Sequence, residues 1–203
     1  MRLPIKLDFF IKAHAAKIMA ITCLPAIVAA ALLMSLSGIQ THLEGSWPGW
    51  AVTGLMLLMA LLSALCVFAC NGIVVAWIYA IGINLHQDDS ERAVNFRTRL
   101  KQLCLWDMVS CILWMLALAL APFSGKFFIY LAAMHALVAA WLMYVVSREF
   151  IYFEREGKGV FIETMGVFFH IYYFAYGIWF FQPRMQALMK KLEQTAGQVE
   201  KAA

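Results

Sequence analysis

Residues 50–83 read WAVTGLMLLMALLSALCVFACNGIVVAWIYAIGI, 34 residues without one charged side chain. The run is far too long for a strand and shows no apolar–polar alternation. As a helix it extends about 51 Å at about 1.5 Å per residue. A bilayer core is only ~30 Å thick, so such a helix tilts or projects beyond it. In hydrocarbon every backbone N–H and C=O needs an internal partner, which makes helix the expected form.

Four further apolar stretches flank this one. They cover residues 18–39 with Pro25 inside, 103–121 before Pro122, 127–146, and 160–181 before Gln182, Pro183 and Arg184. The 203-residue chain is 64% hydrophobic and 14% charged, with a mean hydropathy of +0.76. Those proportions exclude a disordered chain, a nucleic-acid-binding arm and a soluble enzyme of ordinary composition. The expected fold is all-α: a transmembrane helical bundle over residues 1–181, followed by an amphipathic tail over 182–203. It has about five membrane helices, four plus a fifth that crosses or re-enters. Arg2, Lys6, Lys12 and Lys17 precede the first stretch, whose length exceeds the ~7–15-residue core of a signal peptide, so an uncleaved span is expected. Trp47, Trp50, Trp106 and Tyr152 stand where an interfacial aromatic belt belongs.

Basic residues orient the bundle. With five crossings, the N-terminal tail and the loops at 84–102 and 147–159 share one side and carry eleven Lys or Arg. The other side carries five, namely Lys126 and the four of the tail. The positive-inside bias then makes the N-terminus cytoplasmic, in a plasma membrane and, given the short loops, a bacterial inner one. If the fifth stretch re-enters, the distribution becomes fifteen against one. Its 22 mostly apolar residues favour crossing. Both basic loops read as solvated connections.

Ionisable groups inside a membrane are costly, so those present mark the candidate site. Asp107, Ser110, Cys111 and Trp114 share a face of the third span. His135 stands beside Ala132, Ala136 and Ala140, a spacing that admits a close helix. Glu163, Gly166, His170, Tyr173 and Gly177 form a polar, small-residue stripe expected against other helices. Counting from the outer ends, His135 lies ~14 Å and His170 ~16 Å deep if both helices cross. At equal depth the two imidazoles are candidate ligands of a b-type haem or members of a proton relay; the alternative is that each bonds a neighbouring helix. Asn71 reads as helix–helix glue. The five cysteines read as reduced packing residues, because no CxxC or matching histidine motif accompanies them. No phosphate-binding glycine loop, GxSxG elbow or HExxH motif occurs, and catalytic residues are not assigned.

In the tail, Met185, Met189, Leu192, Ala196 and Val199 form a four-three-four-three apolar seam. It suits either the membrane surface or docking to a partner. The expected function is therefore association: a small non-catalytic subunit or scaffold in the lipid bilayer, whose partners are other membrane subunits or its own copy. The alternatives are a transporter or ion conductor using Asp107, His135, Glu163 and His170, and a haem-bearing redox subunit.

Overall fold

The computed structural model describes residues 8–43, 48–86, 88–119 and 127–202. They form α1 (Asp8–Lys12), α2 (Ala15–Leu43), α3 (Gly49–Leu85), α4 (Glu91–Ala119), α5 (Phe127–Glu154), α6 (Phe161–Tyr172) and α7 (Phe174–Ala202). No strand occurs among the described residues, so the chain is all-α. Helices α2 to α5 are each long and apolar enough to cross a membrane. Trp47, Pro122 and Lys126, which mark boundaries in the sequence, lie outside the described residues.

Helix α3 has 37 residues, about 55 Å, and therefore outreaches the hydrocarbon core. Helix α4 begins at Glu91, not at the start of the apolar stretch, so most of the expected loop 84–102 is helical. Ser90 explains the early start. Its Oγ accepts from the Ala93 N–H at 3.2 Å, capping a helix that then carries Glu91 in its first turn.

The chain divides into two compact units. The first comprises residues 1–19, 75–107 and 136–203, and the second comprises 20–74 and 108–135. Their chemistry differs sharply. Fifteen of the sixteen Lys and Arg belong to the first unit, while the second contains only Glu44 and Lys126 as charged residues.

The first unit has a large-residue core. Trp77, Phe150, Phe181, Ile78, Ile81, Leu100, Leu142, Ile151, Ile171, Ile178 and Met185 are fully buried. Phe181 of α7 meets Phe150 of α5 at 4.7 Å and the Trp77 indole of α3 at 5.6 Å, ring centre to ring centre. The buried Gly82 admits Leu100 and Phe96 of α4 against α3.

The second unit follows the opposite rule. Its buried residues are mainly small or hydroxylated, among them Thr22, Ala29, Ser63, Ser110 and Cys111. Leu57, Leu58, Leu61, Leu62 and Leu65 face outward. Small inside and large outside is how helices pack when lipid supplies no hydrophobic drive between them. Two further links hold this unit: the Cys70 thiol donates to the Thr22 carbonyl at 3.1 Å, and Asn71 Nδ2 donates to Met108 Sδ at 3.7 Å. Asn71 thus acts as the interhelical glue its position suggests. All five cysteines are reduced thiols.

The fifth apolar stretch, expected as one span over 160–181, is not one continuous helix. Helix α6 stops at Tyr172, Tyr173 takes φ −87° and ψ 56°, and α7 starts anew at Phe174. At the elbow Gly177 lies directly on the backbone of His170, leaving no room for a Cβ. A 12-residue helix spans about 18 Å, too little to cross.

Gln182 and Gln186 of α7 bond the chain at residues 10–13, and Arg184 and Lys191 pair with Glu154 and Glu156. The tail therefore packs against the N-terminal segment and the connection after α5.

Candidate functional site

The polar residues of the first unit converge in two clusters. One is built on Gln182, which is 1% exposed in the middle of α7. Helix α1 is short, and its last carbonyls have no intrahelical partner. The Gln182 Nε2 amide donates to the carbonyls of Phe10 (2.8 Å), Ile11 (3.1 Å) and Ala13 (3.0 Å). Its Oε1 accepts from Trp77 Nε1–H at 3.1 Å, so one amide joins α1, α3 and α7. Gln186, one turn later, donates to Ile11 and Ala13 at 3.0 and 3.3 Å. An i, i+4 pair of glutamines thus substitutes for the missing turn of α1.

The second cluster centres on His86, just past the end of α3 and 2% exposed. Its Nε2–H donates to Glu149 Oε2 of α5 at 3.0 Å, and Arg92 Nη2 of α4 donates to the same oxygen at 3.0 Å. The imidazole lies between Phe96 (4.5 Å) and Phe153 (4.9 Å), while the Arg92 guanidinium covers the Tyr152 ring at 3.7 Å. Arg97 donates to the carbonyls of His86 and Asp88 at 2.9 and 3.0 Å, pinning the short connection. Within it, hydrogen bonding from the Ser90 hydroxyl holds the Asp88 carboxyl below its usual range. A carboxylate-paired imidazole has a fixed orientation and tautomer. Enclosed between rings, this one joins the ends of three helices.

The sequence-derived candidates are distributed as follows. Asp107 is buried at 1% exposure in the first unit. His135 belongs to the second, where Ser110 Oγ and His135 Nδ1 are hydrogen-bonded at 3.0 Å and the Trp114 ring stacks at 6.0 Å. Ser110 and Cys111 are buried, consistent with the shared face expected on α4. Glu163 accepts from Arg155 Nη2 at 2.6 Å beside the turn after α5. His170 Nδ1–H donates to the Gly166 carbonyl at 2.6 Å.

The stripe expected to pack against other helices does so only at Gly177, which lies on the His170 backbone. The buried residues of α6 are Thr164, Val167 and Ile171; Gly166 opens to space and Tyr173 is exposed. The depth match between His135 and His170 rests on a continuous helix over 160–181, whereas the helix breaks at Tyr173. His170 instead borders a shallow cleft of about 210 Å³ with Phe169, Tyr173, Gly177 and Phe180. No group of three or more His, Cys, Asp or Glu suited to a metal occurs among the described residues.

The tail seam is closed on the chain itself over its first turns. Met185 and Met189 are buried, and Leu192 is partly so. The Val199 side chain lies outside the described residues, as does that of Ala196.

His86, Glu149, Gln182 and Gln186 carry the clusters without standing out in the sequence. Gln182 resembles a polar stop after an apolar run. The available signal was its i, i+4 pairing with Gln186 on the same face as Met185 and Met189. No protein-family model matches the sequence, and no curated protein or solved structure matches it either.

Proposed function

We propose that the chain is a multi-pass membrane protein with four crossings and both termini cytoplasmic, acting by association as a small non-catalytic subunit or scaffold. The observation that carries this reading is the fold-back of α7 onto α1 and the connection after α5. On this reading the four basic residues of the tail lie on the N-terminal side. Fifteen Lys and Arg then oppose Lys126 alone, a strong positive-inside bias. The short loops suit a bacterial inner membrane.

Association fits the chemistry of the two clusters. Gln182, His86 and Glu149 spend their hydrogen bonds on helix ends, which makes the basic side a closed, rigid platform. Its surface keeps Lys12, Arg99, Lys101, Arg148, Lys158 and Lys190 exposed for a partner subunit or a second copy. Conduction has less support, because Glu163 is committed to Arg155 and α6 is too short to cross. Haem ligation loses the equal-depth geometry on which it rested.

Purification in mild detergent, with identification of co-purifying chains, tests the proposal. A partner chain or second copy in fixed ratio is the expected result. A lone monomer whose reconstituted ion or solute flux falls on Glu163→Gln or His170→Ala would overturn it.

A further inference from the structure

Helix α6 is apolar on two opposite faces. Thr164, Val167 and Ile171 are buried against the chain, while Ile162 and Phe169 point the other way, exposed at 79% and 50%, and Tyr173 at the elbow is 60% exposed. Trp179 and Phe180 of α7 are exposed as well. In water such a helix would need one polar face; apolarity on both faces belongs to a helix surrounded by apolar material. Yet about 18 Å of helix cannot cross.

The ends of the segment are polar. The Arg155–Glu163 ion pair stands at its start, and Gln182 and Arg184 follow its end. Trp and Tyr among the outward residues are the types enriched at headgroup level. We infer that the α6–α7 elbow is a lipid-contact surface, which inserts its outer aromatic face into the headgroup–acyl boundary of the leaflet on the side of the termini. The occupant is phospholipid of the same bilayer the long helices cross, and the inference rests on that membrane reading. Gly177 on the His170 backbone packs the start of α7 closely on the end of α6. Chain order agrees, because α5 ends at Glu154 and α7 returns to pair Arg184 with that residue.

The test is photocrosslinking of the full chain in nanodiscs of equal parts phosphatidylethanolamine and phosphatidylglycerol. Phe169→p-benzoylphenylalanine and Ile162→p-benzoylphenylalanine probe the outer face. Leu61→p-benzoylphenylalanine reports on α3, and Ile171→p-benzoylphenylalanine on the inner face of α6. The expected result is a mass gain of one phospholipid at positions 162, 169 and 61, and an intramolecular crosslink at 171. Lipid adducts at 61 with none at 162 and 169 would overturn the inference alone. Crosslinks from 162 or 169 to a second protein chain would do the same. No lipid adduct at 61 would overturn the membrane reading with it.

Discussion

The indole N–H of Trp77 donates to the side-chain oxygen of Gln182 at 3.1 Å, across 105 positions of sequence. Through that contact α3, which is apolar for most of its length, is tied to the amphipathic tail. The Gln182 amide hydrogens meanwhile serve three carbonyls at the end of α1. A buried polar group deprived of its partner costs about 1–3 kcal/mol, whereas an exposed ion pair contributes about 0–1 kcal/mol. The amide, more than the Arg184 and Lys191 pairs, should therefore hold the tail.

Gln182→Leu is expected to lower stability by about 3 kcal/mol, since it strands the Trp77 indole and the Phe10 carbonyl and leaves Ile11 and Ala13 to Gln186 alone. Gln186→Leu should cost only about 1 kcal/mol, because it is half-buried and its acceptors keep Gln182. Thermal unfolding in detergent, read with the rate of proteolysis within the tail, measures both. Equal effects would refute the hierarchy.

Two glycines of one stripe should behave oppositely. Gly177→Ala drives a Cβ into the His170 backbone and is expected to cost more than about 3 kcal/mol by opening the elbow. Gly166→Ala meets nothing within 4 Å and should be neutral or stabilising by up to about 1 kcal/mol. Comparing their melting curves decides the matter. A harmless Gly177→Ala would mean the elbow is not tight.

Glu149→Ala removes the shared acceptor of His86 and Arg92. His86 is enclosed and Arg92 is half-exposed, so the loss is concentrated on the imidazole, at about 2 kcal/mol. Arg92→Ala should cost about 1 kcal/mol or less. Acylation of His86 by diethyl pyrocarbonate, mapped by mass spectrometry, should be slow in the native protein and fast in Glu149→Ala.

Acid should weaken one tail contact in a defined sense. Hydrogen bonding and charge from Lys191 hold the exposed Glu156 carboxyl below its ordinary value of 4.5. A lowered folded-state pKa contributes stability above the ordinary value, and that contribution is lost as pH falls through the lowered one. In Lys191→Ala the Glu156 titration, followed by carboxyl carbon NMR, should move up toward 4.5. An unmoved titration would show that the pair does not form in solution.

The long helices were legible because about 20 apolar residues have few other uses. The break in the fifth stretch was not legible, because its 22 residues satisfy the same length rule as a straight span. What bends it is the approach of Gly177 to the His170 backbone, and a glycine seven positions from a histidine looks the same in a straight helix. The start of α4 could have been read from Ser90 followed by Glu91, but the surrounding charges disguised a helix as a loop. Spacing alone put Asp107, Ser110 and Cys111 on one face, and all three are buried. Gln182 and His86 escaped because their partners lie far away in sequence and are largely backbone carbonyls or a single carboxylate.

The central claim is that four helices cross and the tail returns to the side of the N-terminus. A fluorescent protein that matures only in the cytoplasm, fused after residue 203, measures this in intact bacterial cells against a phosphatase active only outside. The account predicts a bright fluorescent fusion and an inactive phosphatase fusion. A dark fluorescent fusion with an active phosphatase would contradict it and restore the fifth crossing.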